Sequence, residues 1–224
     1  MSRRALHWDG LRVPFVTPWS AERLPLGRIV RRRGVGGEGI GYADEHRGDR
    51  RYGALWVRYA ATPGRGEPLF PTMHPLRQRQ AMAHMLCGVC GKPPAERTAW
   101  EKELLGEGHL FVMRAVEGQP IAEGEKTTSP PTCLPCAPEA VNACPRLRKG
   151  YTAAVVGYAP LWGIAGIPYH PQTLQPLPED RVSGQPFIAV DDPLLRWTLA
   201  ARTVISLHEV TTVDLDELTV GAAA

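Results

Sequence analysis

The sequence predicts an α+β fold assembled from short strands and short helices. Three observations carry that expectation. Glycine (23) and proline (22) together make 45 of the 224 residues, rich for a helical bundle and a sign of many turns. Apolar residues come in short runs, some alternating as on a strand and some three and four apart as on a helix. Two Cys-x-x-Cys pairs, Cys87/Cys90 and Cys133/Cys136, mark a point around which small elements can be organised. The apolar fraction of 43% and charged fraction of 22% are ordinary globular values, which excludes wholesale disorder and leaves room for one large domain or two small ones.

Taken in order, residues 1–50 read as an extended, turn-rich arm in which Arg31-Arg32-Arg33 runs into Gly34, Gly36, Gly37 and Gly39. Strand-like pieces follow at 39–43 and 53–60; in the second, Leu55, Val57 and Tyr59 alternate with Trp56 and Arg58. Pro63-Gly64-Arg65-Gly66 is a turn, and Leu69-Phe70 begins a returning strand. His74-Pro75 opens a helix to about Leu86, with Pro75 in the first turn and Met82, Met85 and Leu86 on one face. A short helical or irregular piece from Ala99 gives way at Gly106-Glu107-Gly108 to a strand over 109–116. After a polar loop, residues 138–147 read as a helix.

Residues 151–178 contain no Asp, Glu, Lys or Arg. A membrane span needs about 20 apolar residues, but the glycines and prolines here break the stretch into two buried strands, at 152–158 and 161–169. Residues 186–190 are a further short strand. Asp191-Asp192-Pro193 carries the signals of a helix start, and Leu194, Trp197, Ala201, Val204 and His208 keep helical spacing. The sequence therefore predicts a helix over 194–208, followed by a strand at 209–213 and an acidic turn at 214–217. Three parts result: a basic N-terminal arm (1–73), a cysteine-containing module (74–150) and an α/β portion packed on it (151–224).

Two CxxC units with turn residues at their flanks, as in Cys87-Gly-Val-Cys90-Gly-Lys-Pro, point to one structural zinc ion held by Cys87, Cys90, Cys133 and Cys136. Each unit curls backbone N–H groups around its sulfurs, and two such knuckles complete a tetrahedron. Buried free thiols, a redox pair and iron–sulfur ligation are the competing readings, and no βαβ unit surrounds either CxxC. Cys144, about two turns beyond Cys136, reads as a small buried apolar residue. With no secretory signal in residues 1–20, the cysteines suit a reducing cytoplasm.

A knuckle, a strand-containing insert, then a second knuckle opening a helix resembles the treble-clef zinc-finger arrangement over about residues 84–150. The resemblance implies that Cys136 sits at a helix N-terminus, whose positive end favours thiolate. Zinc-stabilised HNH endonucleases share that scaffold and need a histidine base in the insert plus a second metal ligand on the helix. This chain departs from them: the one insert histidine is His109, preceded by Gly108. Ala137 follows the second knuckle where the family usually carries His, and Asn142 is off the motif position.

Charge is lopsided. Four lysines leave 22 arginines among the 26 basic residues, and residues 1–60 hold 12 arginines against 6 acids. Arg28, Arg31, Arg32, Arg33, Arg50 and Arg51, with Arg77 and Arg79 beside the zinc module, form a candidate phosphate-binding set. Tyr42, Tyr52 and Trp56 are interleaved as stacking surfaces. A solvated arm paired with Glu38, Asp44, Glu45 and Asp49 would account for the same residues, as would a genome bias toward arginine. No nucleotide-binding or hydrolase motif occurs. The expected function is non-catalytic recognition of nucleic acid or a protein, without a membrane. A divergent HNH-type nuclease and an assembly subunit are the alternatives.

Overall fold

A computed structural model describes residues 5–34, 36–70, 72–116, 118–178 and 185–220. Its strands are short, as the turn-rich composition requires. β1 (Leu6–Trp8) and β2 (Leu11–Val13) pair through a turn at Asp9 and Gly10, both at positive φ. β3 (Ile29–Gly34) and β4 (Gly37–Tyr42) form a ribbon paired from Ile29↔Tyr42 to Gly34↔Gly37. The stretch expected as an extended arm thus contains two antiparallel hairpins, β1–β2 and β3–β4. The root of the second is anchored by Ile40 and Tyr42, both fully buried, and by the Tyr42 hydroxyl donating to Trp56 O at 3.2 Å. Next come β5 (Arg50–Arg51), β6 (Ala54–Trp56) and helix α1 (Pro75–His84). The cysteine-bearing region holds α2 (Ala99–Leu105), β7 (His109–Arg114), β8 (Lys126–Thr127) and α3 (Ala137–Ala143). The remainder comprises β9 (Tyr151–Tyr158), β10 (Leu161–Pro168), β11 (Phe187–Ala189), β12 (Thr198–Ser206), β13 (His208–Thr212) and α4 (Leu215–Val220).

Two larger sheets organise these strands. One runs β11-β10-β12-β6-β5, with β8 pairing the end of β12; the other runs β13-β9-β7. All pairings are antiparallel except β6 with β12, which joins an N-terminal strand to a C-terminal one. β9 and β10, the two strands expected in the uncharged stretch, follow each other in sequence yet lie in different sheets. The chain crosses between sheets after Tyr158 and crosses back at Leu207. Met82, Phe111, Ile121, Ala154, Val156, Ile205 and Leu207 fill the core around these crossings. Among the described residues no helix is long and apolar enough to cross a membrane.

The helix expected over 194–208 is not one. Its cap signal is real, since Asp192 Oδ1 accepts from Leu194 N–H at 2.7 Å, but the turn it opens is a 3-10 helix that ends at Trp197. β12 then occupies a central place, flanked by β10 and β6 and buried along most of its length. A strand covered on both faces reads as a continuous apolar run with no period of two, so a helical spacing can be picked out of it.

α1 begins where expected, and His74 is its cap. The imidazole is fully buried; Nδ1 accepts from Leu76 N–H and Arg77 N–H at 3.2 and 3.4 Å while Nε2 donates to Ala60 O at 2.9 Å. Gln78, one turn on, clamps the helix to β12. Its Nε2 donates to Thr128 O and Thr203 O, and its Oε1 accepts from Thr203 N–H, each at 2.9 Å.

Candidate metal centre

α1 ends on Met85 in the left-handed region (φ 48°), which turns the chain straight into the first knuckle. There Cys87 N–H donates to Lys92 O at 3.0 Å and Gly91 N–H to Cys87 O at 2.8 Å, closing a tight loop. Gly91 makes that return at φ 72°, and a Cβ there would meet the ring of Phe15 at 2.9 Å. The second knuckle is a 3-10 turn, Leu134–Cys136, that runs directly into α3; Cys136 N–H and Ala137 N–H both donate to Cys133 O, at 3.0 and 3.1 Å. The two knuckles are tied by Gly88 N–H to Pro131 O at 2.8 Å. Phe15 N–H to Val89 O and Val16 N–H to Gly88 O, at 2.9 and 3.2 Å, add a third side from the N-terminal segment.

This framework brings together all four cysteines expected from sequence. Their sulfurs lie within 4.8 Å of one another, and Cys90 Sγ and Cys133 Sγ are 3.7 Å apart. Zn–S bonds of about 2.3 Å in a tetrahedron give S···S edges of about 3.8 Å, so the spacing fits that metal. All four are free thiols, whereas a disulfide needs sulfurs near 2.05 Å. Four sulfur donors complete the tetrahedron and leave no position for substrate, the pattern of a structural site. Among the described residues this is the one group of three or more His, Cys, Asp or Glu side chains able to hold a metal.

The surroundings favour thiolate at Cys87 and Cys90 and oppose it at Cys133 and Cys136. Cys87 Sγ accepts from Cys133 N–H at 3.3 Å and Cys90 N–H at 3.5 Å. Hydrogen bonding from Cys133, then from Cys136 and Cys90, pulls the Cys87 thiol well below its usual range, while hydrogen bonding to Cys136, then to Cys87 and Cys90, pushes Cys133 up. Four thiolates cannot all charge in so small a volume unless a cation neutralises them. Arg12 on β2 lies outside the sulfurs, its Nη1 3.6 Å from Cys136 Sγ and 3.0 Å from Glu139 Oε2. Burial disfavours its charge, but Glu139 and the Cys136 and Cys90 sulfurs outweigh that and raise its pKa. A cavity of about 220 Å³ over the cysteines is also lined by Lys92 and Arg97 and by Glu96 and Glu101, so its charge is mixed. No motif or spacing rule points to Arg12, which lies 75 residues from Cys87.

The other expected residues scatter. Cys144 stands at the C-terminal cap of α3, half-buried and outside the cluster. His109 lies on β7 with Nδ1 2.8 Å from Arg97 Nη2; burial and then Arg97 push its pKa down to about 4. Arg28, Arg31, Arg32 and Arg33 line the β3–β4 hairpin and are exposed, as is Arg51. Arg31 donates to Pro171 O, and Arg32 donates to Ala43 O. Arg50 is engaged by Glu45 at 2.7 and 3.0 Å and by Ile40 O at 2.6 Å. Arg77 is buried, with Nη1 and Nη2 each 2.7 Å from a carboxylate oxygen of Glu22. Arg79 packs over Trp56, its guanidinium 4.6 Å from the ring centroid, and burial followed by the nearby Arg51 lowers its pKa. Of the eight arginines, therefore, five stand on the surface, Arg50 and Arg79 are half-buried, and Arg77 is buried.

Comparisons with protein-family models, with curated proteins and with solved structures find no match.

Proposed function

We propose that the protein is a zinc-stabilised nucleic-acid-binding protein whose contact face is the β3–β4 hairpin with its flanks. The zinc belongs to a treble-clef-like centre: a knuckle, an insert containing β7, and a second knuckle that opens α3. One feature sets that centre apart, because β7 pairs with β9 beyond the helix and not within the insert. The cysteines' role is to hold the N-terminal segment, α1 and α3 in place.

The observation that carries the binding reading is a surplus of arginine over acid. Each carboxylate of the hairpin region has an arginine partner: Asp44 and Asp49 pair with Arg58, Glu45 with Arg50 and Glu38 with Arg31. Arg28, Arg32, Arg33, Arg47 and Arg51 have no carboxylate partner among the described residues. Exposed guanidiniums on a ribbon suit phosphate oxygens, and their association releases counterions. The nuclease alternative rests on His109, whose low pKa makes a weak base at neutral pH.

Salt-dependent binding to duplex DNA and to RNA tests this. The log–log slope should be about −0.9 per phosphate neutralised on duplex DNA, and replacing Arg28, Arg32 and Arg33 with Ala should flatten it by up to about three units. Absence of binding to any nucleic acid at low salt would overturn the reading and shift the weight to a protein partner.

A further inference from the structure

The corner where the chain crosses between the two sheets carries three side chains that the binding reading does not use. Ser206 ends β12 and His208 begins β13. Glu123 lies in a turn held against the corner by Gly124 N–H to Leu207 O (2.7 Å) and Leu207 N–H to Glu125 O (2.9 Å). His208 Nδ1 is 2.8 Å from Glu123 Oε1, and its Nε2 is 3.0 Å from Ser206 Oγ. The second carboxylate oxygen of Glu123 accepts from Val210 N–H at 3.2 Å, which fixes its orientation. A carboxylate only accepts, so Nδ1 carries the imidazole proton and the Nε2 lone pair faces the serine hydroxyl.

We propose that Ser206, His208 and Glu123 form a serine acyl-transfer site for esters with an apolar acyl or aromatic portion. The three occupy the relation of nucleophile, base and orienting carboxylate by which a serine hydroxyl is activated, a relation recognised by geometry and not by chain order. Ser206 is 8% exposed and forms the floor, whereas His208 is open to solvent at its edge. Exposed Tyr158, whose ring lies 6.1 Å from that of His208, and exposed Leu161 supply apolar surface beside it. Lys126 faces Ser206 directly across the β8–β12 ladder, so the two side chains share one side of the sheet.

In the first half-reaction Ser206 Oγ bonds to the ester carbonyl carbon and its proton passes to His208 Nε2. The carbon–oxygen bond to the leaving alkoxide then breaks, and the alkoxide takes that proton, leaving Ser206 acylated. Water, losing a proton to His208, adds to the acyl carbon; the bond to Ser206 Oγ breaks and the serine regains the proton. One ester and one water give one acid and one alcohol, with no change of oxidation state. The N–H groups of Ser206 and Leu207 are already committed to Pro160 O and Glu125 O, and the Lys126 ammonium rests over the Trp162 ring at 4.3 Å, so Lys126 would have to leave that ring to reach the oxyanion. Glu123 is a positioning residue that acts through His208.

The test is labelling of the full-length zinc-loaded protein with a fluorophosphonate probe, mapped by mass spectrometry, beside hydrolysis of p-nitrophenyl butyrate. The label should map to Ser206 and vanish in Ser206→Ala. His208→Ala should lower both the labelling rate and turnover by roughly 100-fold or more. Glu123→Gln should lower them as well, and Glu123→Asp should restore part of the loss, a rescue that a purely structural contact would not produce. Unchanged zinc content and circular dichroism in Ser206→Ala confirm that the fold survives. A folded wild-type protein whose Ser206 stays unlabelled, or labels equally well in His208→Ala, overturns the proposal; nucleic-acid affinity is independent of either outcome.

Discussion

Replacing Arg77 with Met separates an arginine that builds the fold from arginines that face a ligand. Glu22 is fully buried and accepts four hydrogen bonds: from Trp19 N–H at 2.8 Å, Thr62 N–H at 3.0 Å and both Arg77 Nη atoms at 2.7 Å. Arg77 Nη2 also donates to Thr17 O at 2.7 Å. Met conserves most of the volume but removes two charge-assisted bonds and leaves a buried carboxylate with two backbone donors. Breaking a buried pair in this way typically costs about 3–5 kcal/mol. Urea unfolding at neutral pH should therefore show a loss of about 3–5 kcal/mol, whereas Arg33→Ala on the exposed hairpin should stay within about 0.5 kcal/mol of wild type. The double variant Glu22→Gln/Arg77→Met should recover much of the loss, since a neutral amide can keep one of the backbone donors. A loss below about 1 kcal/mol, or a weaker salt slope for nucleic acid in Arg77→Met, would refute the assignment of Arg77 to the interior.

Two other perturbations follow from the same contacts. Burial, ahead of any other influence, lowers the pKa of His74 from 6.5, while Arg77 and Glu22 beside it act in opposite directions. A depressed folded pKa means that its stabilisation is complete above pH 6.5 and is lost as pH falls through the folded value. His74→Asn keeps a cap acceptor without titrating, so it should flatten the fall in unfolding free energy below that pH by up to about 1.4 kcal/mol per pH unit; an unchanged slope would exonerate His74. Cys133→Ser should loosen the two knuckles and α3 first, raising amide exchange there roughly 100-fold, about 2.7 kcal/mol, while β12 stays protected. Equal acceleration in both regions would mean that the centre holds up the whole fold.

What the sequence made legible was local chemistry. Two CxxC pairs announce a metal centre because thiolates this close need a cation, and His74-Pro75 announces a helix start because one side chain supplies an acceptor while the next lacks a donor. The strands of the uncharged stretch were legible as strands, yet their assignment to separate sheets was not, because pairing depends on residues far away in the chain. β12 shows the same limit in sharper form. Its true signal, β-branched Thr198, Thr203, Val204 and Ile205 in a run buried on both faces, was masked by Asp192-Pro193 and by apolar residues that happened to keep helical intervals. The arginines illustrate a third gap. Arg28 through Arg33 are exposed on a ribbon, but nothing in composition separates them from Arg77, which finds Glu22 across 55 positions. Arg12 and the Ser206–His208–Glu123 cluster likewise arise only when distant segments meet.

Metal analysis of the purified full-length protein, combined with X-ray absorption at the metal edge, tests the four-cysteine centre most directly. One zinc per chain is expected, with four sulfur neighbours at about 2.3 Å and no nitrogen or oxygen in the shell. Thiol titration of the same sample should find Cys144 as the readily reacting cysteine, and all five should react after unfolding in chelator. Protein that carries no metal and has five reactive thiols in its folded state, or a metal shell that mixes sulfur with other donors, would contradict the assignment.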